Sequence, residues 1–298
     1  MTTNTGPLVS VVIPSYNHGR YLGRALQSVL DQTYNHWEAF VIDNHSTDDT
    51  DEILNRFVDP RITVLKIFNN GVIAASRNMG IRAAKGDWVA FLDSDDWWTS
   101  DKLQACLIYL NDKVDFLYHD LVVATEHPSI FKRKKVQSRQ VKCPVLMDLL
   151  LRGNAISNSS VVVRKSRIMK IGGINECVEM IASEDYNTWL RIAQQTDQFV
   201  YVASILGYCF KHSQNISRQD MSIPNSLAVA EFVYLLSERQ KHRIEANLRY
   251  IKGRFNEIAG DYAESINDLL FVLIYGNFTL RIRAFVLIFK VMFKKFVV

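Results

Sequence analysis

The chain of 298 residues has only four cysteines, and their spacing pairs none of them. Cys106, Cys143, Cys177 and Cys209 lie far apart with no CxxC, which argues against a zinc motif and fits a reducing, cytosolic setting. There is no GxGxxG, and no GxxxxGK followed by Ser or Thr, so dinucleotide-fold and P-loop readings lose their main support. No uncharged apolar run reaches the roughly 20 residues that span a bilayer. Residues 1–7 have no basic region and no apolar core, so a secretory signal is not expected. Acids are missing from the whole stretch 271–298, which still carries Arg281, Arg283, Lys290, Lys294 and Lys295.

What is present describes a globular protein. Apolar residues make up 48% and charged residues 22%, which excludes disorder. The length suits one large domain, or one domain with an appendage. The net charge of +4 is mild but unevenly spread. A second basic cluster, Lys132-Arg133-Lys134-Lys135 with Arg139 and Lys142, reads as a surface loop. Such patches suit phosphate groups or an anionic membrane better than nucleic-acid readout, so no nucleic-acid partner is expected.

Periodicity alternates strand and helix along the first third. Residues 8–14 form a β-branched run closed by Pro14, the pattern of a buried parallel strand. Leu22, Ala25, Leu26, Val29 and Leu30 then fall at helical spacing. Further strands are expected over 37–43, 62–68 and 88–92, with helices between them, one opening at Ser46-Thr47-Asp48-Asp49 and one stopped by Gly86. Strands are also expected at 116–123, 159–163, 199–202 and 205–210, and helices at 101–111 and 183–195. This is a doubly wound α/β arrangement. From residue 226 the chain reads as helical, over 226–240, 243–259, 261–275 and 279–296.

The densest chemical signal is Phe91-Leu92-Asp93-Ser94-Asp95-Asp96. Carboxylates at a strand's carboxyl end, in an open α/β sheet, face the crevice where ligands bind. Two acids spaced one apart suit a hard divalent cation shared with substrate phosphates. The rival reading is a helix cap by Asp95 or Asp96, which needs one acid, not three. Tyr16, Asp43 and Asn44 also follow strand ends, and Arg77 and Asn78 lie on the helix after the third strand, so a parallel sheet brings them to one edge and outlines a nucleotide pocket. Plainer readings exist for each type. Tyr16 alone reads as core, Arg77 as an exposed helix residue, Glu184 and Asp185 as complements to a helix dipole, and His212 as a half-buried histidine.

Five segments in order resemble the inverting glycosyltransferases of family 2, which have the GT-A fold. They are Val9-Ser10-Val11-Val12-Ile13-Pro14-Ser15-Tyr16-Asn17, Leu30-Asp31-Gln32-Thr33-Tyr34, Val41-Ile42-Asp43-Asn44-His45-Ser46-Thr47-Asp48, Ala75-Ser76-Arg77-Asn78-Met79-Gly80, and the acidic motif itself. The stretch from Ser183-Glu184-Asp185 to Arg191 resembles that family's acceptor-side acidic motif, and the stretch from Phe210 to Ser217, with His212, its closing segment. The likeness covers residues 8–217. It implies a GT-A-like doubly wound mixed sheet flanked by helices over 1–222, with a helical extension over 223–298. It implies Pro14 and Tyr16 at the base, with Asp43 beside them. Asn44 stands where the family often has a second aspartate contacting uracil, so the base contact loses a charge here. Asp93 would contact ribose, and Arg77 and Asn78 the nucleotide or donor sugar. Asp95, with Asp93 and His212, would hold Mn²⁺ or Mg²⁺ on the diphosphate. Asp185 would be the general base, with Glu184 beside it.

The implied activity is metal-dependent, inverting transfer of a hexose from a nucleotide-sugar, UDP-linked first, to a saccharide or polyprenyl-diphosphate-linked acceptor. Two other readings stay open: a nucleotidyltransferase, for which Ser15-Tyr16-Asn17-His18-Gly19 makes a poor triphosphate loop, and a non-catalytic nucleotide-sugar-binding protein. On a wheel of the last helix Arg283, Lys290 and Lys294 share one side, and Phe285, Ile288, Phe289, Met292 and Phe296 the other. This fits an interfacial helix at the inner face of the cytoplasmic membrane, during surface-polysaccharide assembly; a helical bundle is the alternative.

Overall fold

The computed structural model describes residues 6–126, 138–212, 215 and 219–297, with side chains as far as 293. The expected basic cluster at 132–135 and the side chains of Lys294, Lys295 and Phe296 lie outside the described residues. The described strands are β1 (Val9–Ser15), β2 (Trp37–Asp43), β3 (Ile62–Lys66), β4 (Trp88–Phe91), β5 (Trp97–Trp98), β6 (Phe116–Thr125), β7 (Val162–Arg164) and β8 (Phe199–Lys211). They form one sheet in the order β3-β2-β1-β4-β7-β6-β8-β5. β3, β2, β1 and β4 run parallel, and β7 is inserted antiparallel between β4 and β6. The chain winds outward from β1 through β2 to β3, then returns to place β4 on the other side of β1. Beyond the carboxyl ends of β1 and β4 lies the switch point where such sheets bind ligands.

Helices cover both faces because the central strands are apolar on both faces. On β1, Val11 and Ile13 join one buried cluster and Val12 the other, the period-two alternation of a pleated strand. The first cluster takes α1 (Gly19–Leu30) and α4 (Lys102–Leu107), while a short α2 (Thr50–Leu54) contributes Leu54. The second takes α3 (Ile73–Ala83), α5 (Val145–Arg152), α6 (Lys165–Lys170) and α7 (Glu184–Ala193).

Several expected boundaries moved. The strands expected at 199–202 and 205–210 are one, β8, whose pairing with β6 shifts register between His119 and Asp120 and again before Val122. The helix expected over 226–240 is broken. α8 (Ser222–Ala230) is followed by a 3₁₀ turn at Val233–Leu235, and α9 (Glu238–Ala259) then starts afresh. The cause is local: Ser237 and Gln240 form a capping box that fixes a new helix start. α10 (Tyr262–Tyr275) and α11 (Phe278–Val297) complete the chain. The expected division near residue 222 falls inside continuous packing, since Ala228, Val229, Phe232 and Ile244 all belong to the larger buried cluster. A separate small cluster of Leu269, Val272, Leu280 and Ala284 holds α10 to α11.

Candidate active site

A cavity of about 420 Å³ lies at the switch point, with Pro14, Arg77, Asp93, Asp95, Glu184, Asp185 and His212 among its lining. Residues from β1, α3, the loop after β4, the start of α7 and the end of β8 therefore meet there, from positions 198 residues apart in sequence.

Arg77 is the hub. It is buried on α3, where an isolated reading made it an exposed helix residue. Its Nη2 donates to Asp93 Oδ1 at 2.8 Å, and its Nη1 bonds Glu184 Oε1. Burial opposes its charge, but Asp93 and Glu184 outweigh that and hold the guanidinium more firmly protonated than usual. Asp93 is fixed from two more directions. Asn158 Nδ2 donates to its Oδ1 at 2.8 Å, and its own backbone N–H donates to Ser159 Oγ at 3.0 Å.

Glu184 and Asp185 open α7, yet Ser183 provides no side-chain cap and Glu184 turns to Arg77 rather than to the helix N–H groups. Two residues before this start, Ala182 has φ +70, a backbone region that costs a non-glycine residue strain of about 1–3 kcal/mol. Burial pushes the Asp185 carboxyl up to about 7; the neighbouring Glu184 charge adds to this and Arg77 opposes it. A carboxylate with that proton affinity is matched to general-base work near neutral pH.

Asp95 lines the same cavity. His212 Nε2 is 3.0 Å from its Oδ2, and Asn215 Nδ2 donates to the same oxygen at 3.1 Å. Arg24 donates to the Asp95 carbonyl at 3.0 Å while stacking 3.6 Å over the Trp97 ring. Asp96 turns inward, accepts from the Phe210 N–H at 2.8 Å, and has its carboxyl raised well above the ordinary value by burial and by Asp95 and Asp93. The third acid of the motif thus ties the strand-end loop to β8. No group of three or more His, Cys, Asp or Glu side chains that could hold a metal ion occurs among the described residues. Asp95 with His212 is a two-ligand set, which fits an ion that completes its shell with substrate phosphate oxygens.

Tyr16 is 54% exposed, so the core reading does not apply to it, and it is not among the residues that line the cavity. Asn44 accepts from the Asn69 N–H through Oδ1 at 2.9 Å, which leaves its amide NH₂ as the group with bonds to give. Two expected contacts are corrected. Asp43 is fully buried, and its oxygens are consumed by Ser46 N–H, Ser46 Oγ and Lys66 Nζ, the last at 2.8 Å. It is a structural anchor, placed there because Asp43 and Lys66 are in register across β2 and β3. Asn78 does not line the cavity. Its amide bonds Ile174 N–H, Ile174 C=O and Glu176, holding the loop that leads toward α7. Gly173 packs so close that a Cβ there would meet Asn78 Oδ1 at 2.8 Å.

Sequence reasoning passed over His18, Asn158, Ser159 and Asn225. His18 Nδ1 is 2.7 Å from Ser94 Oγ, and burial lowers its pKa although Asp95 partly counters this. Asn225 on α8 accepts from Ser183 Oγ at 3.1 Å and lines the cavity with Met221. The run Asn154 to Ser160, unusually polar for the approach to a buried strand, was the available signal for Asn158 and Ser159.

This geometry is that of a GT-A fold with a cluster of acids at its switch point. The profile "Glycosyl transferase family 2" matches residues 10–158, and the chain belongs to that family. A Bacillus subtilis glycosyltransferase named for teichuronic acid biosynthesis, TuaG, is 44% identical over 113 residues, covering 37% of this chain but only 45% of the relative. An Escherichia coli protein, WfaP, named as a UDP-Glc:α-D-GlcNAc-diphosphoundecaprenol β-1,3-glucosyltransferase, is 31% identical over 62% of this chain and 70% of its own length. Among solved structures, Staphylococcus aureus TarS 1–349 with UDP-GlcNAc superposes with a TM-score of 0.65 at 19% identity, covering 90% of this chain and 81% of that one. A Pyrobaculum calidifontis mannosyltransferase with GDP-Man and Mn²⁺ gives 0.61 at 17%, covering 93% and 78%.

Proposed function

We propose that this glycosyltransferase moves a sugar from a UDP-sugar to the hydroxyl of a saccharide or polyprenyl-diphosphate-linked saccharide, with inversion, in surface-polysaccharide assembly at the cytoplasmic face of the membrane. One observation carries the reading. Asp185, with a proton affinity near neutrality, shares a cavity with the strand-end acids Asp93 and Asp95. WfaP, as named, uses UDP-Glc and a diphosphoundecaprenol-linked acceptor, and the TarS complex holds UDP-GlcNAc, which supports both substrate classes.

In this reading the acceptor hydroxyl oxygen attacks the anomeric carbon from the side opposite the nucleotide. Asp185 takes its proton as the new C–O bond forms. The old C–O bond breaks, and its electron pair leaves with the nucleoside diphosphate. Asp95 and His212 would hold Mn²⁺ or Mg²⁺, which supplies positive charge beside the departing diphosphate. Asp93, locked by Arg77, Asn158 and Ser159, receives the ribose. Tyr16 and Pro14 flank the base, and Asn44 donates to its edge. Arg77 aligns Asp93 and Glu184 rather than contacting the nucleotide. Glu184 Oε2 and Asn158 Oδ1 are buried without partners among the described residues, and each can accept from a donor-sugar hydroxyl. Holding both reactants across one cavity supplies much of the acceleration.

The test is a thermal-shift screen of UDP-, GDP- and dTDP-sugars with and without Mn²⁺, followed by turnover of any stabilising donor. Stabilisation by a UDP-sugar that requires metal, and that is lost in Asp95→Ala, is expected. A metal-independent response that survives Asp95→Ala removes the proposed metal role.

A further inference from the structure

The C-terminal helix α11 has two apolar faces, and the bundle uses only one. Leu280, Ala284 and Val291 are buried, with Leu287 and Ile288 packed beside them. Phe278, Ile282, Phe285, Val286, Phe289 and Phe293 are 50–79% exposed. At about 100° per residue these six fall within an arc of about 100–120°. That is a continuous stripe, not a scatter of surface residues. A bundle helix needs a single apolar face, so the second one calls for an occupant.

The charges say which occupant. No acid follows Asp268 in the sequence. Arg281 borders the stripe on one side and Arg283 and Lys290 on the other, at about 40–60° beyond its edges by the same helical geometry. Arg281 Nε donates to the Gly276 carbonyl at 2.8 Å, and Lys290 pairs with Glu257 at 3.0 Å, so both cations are held in place along the stripe. Arg283 has no acidic partner among the described residues. α10 extends the apolar area with Leu270 and Ile274, 49% and 62% exposed. An apolar stripe edged by cations on both sides, on a helix that over its described residues is not long and apolar enough to cross a membrane, is built to lie flat at the boundary between acyl chains and anionic headgroups.

We infer that this face of α11 is a docking surface for an anionic lipid bilayer. The inference would bring the enzyme to the bilayer that carries the proposed lipid-linked acceptor, but its evidence is the helix and not that reading. A second copy of the chain is the competing occupant. It would cover the phenylalanines while leaving the bordering arginines without a role.

Flotation of the full chain with phosphatidylcholine vesicles, alone and with about one third phosphatidylglycerol, decides between them. Binding to the anionic vesicles, weakened by salt, is expected. Phe285→Glu combined with Phe289→Glu places acids in the middle of the stripe and should reduce vesicle partitioning at least about tenfold. Both side chains are exposed, so the melting temperature should hold, as should transfer to a detergent-free soluble acceptor. No flotation of the wild type, or equal flotation of the double variant, overturns the inference. So does a concentration-dependent dimer that the double variant abolishes while vesicle binding is absent. Because flotation needs no turnover, a failed donor screen with intact flotation sinks only the proposed reaction.

Discussion

Replacing Arg77 with Met tests whether this arginine is the link between the two halves of the site. The substitution keeps side-chain bulk and removes the cation. It strands Glu184, whose side chain is 6% exposed, and half-buried Asp93. Breaking a buried pair from one side costs about 3–5 kcal/mol, because the surviving charge stays out of water. At roughly 2–4 °C per kcal/mol for a chain of this size, the melting temperature should fall by about 6–20 °C in calorimetry. Glu184→Gln in the same background removes the stranded charge and should restore part of the loss. A double-mutant cycle should therefore show coupling of at least about 1 kcal/mol. A second readout is independent of folding. Arg77 pulls the Asp185 proton affinity down, so its loss moves the acid limb of the rate profile to higher pH. An Arg77→Met protein that melts like the wild type, with zero coupling to Glu184 and an unmoved acid limb, would refute the role given to this ion pair.

Other outcomes follow from the same geometry. Transfer by the wild type should rise with pH through about 7, where Asp185 loses its proton, and Asp185→Asn should abolish turnover while calorimetry still records donor binding. The folded protein keeps that proton where the unfolded chain, near 3.8, has released it, so rising pH weakens the fold between those two values. Asp185→Asn should accordingly melt higher than the wild type at alkaline pH and gain nothing below the ordinary aspartate range. Asn158→Leu removes a bond to a charged carboxylate, worth about 1.5–3 kcal/mol, and should weaken donor affinity about 10- to 100-fold in a titration without shifting the pH profile. Asp95→Ala should flatten the manganese dependence of turnover; a retained metal optimum would count against Asp95 and His212 as the ion's protein ligands.

Local patterns in the sequence carried the first half of the fold well. β1, β2 and β4 are short β-branched or aromatic runs, and their apolar residues on both faces announce burial between two helix layers. Pro14, Asp93 and Asp95, which line the cavity, stood out because strand ends are legible as local patterns, whereas Asp185 and His212, which line it too, were singled out only through the family resemblance. Asp43 and Asn78 were misjudged for a common reason. Their partners, Lys66 and Ile174, come from register and from a loop 96 residues away, which local spacing does not encode. Arg77 was located, but its role was invisible: a buried arginine and an exposed one look alike until Glu184 arrives 107 residues later. The break before α9 was legible in Ser237 and Gln240, whose capping spacing outweighs the apolar run around it.

The Ser183–Asn225 bond has a practical corollary. Every recognisable signature ends before residue 218, yet the chamber at the switch point is also lined by Met221, which precedes α8, and by Asn225 within it. A stop codon or protease nick just after the closing histidine segment would spare each signature and still open that chamber to solvent. Trimming this enzyme to its motif-bearing length is therefore a way to lose it.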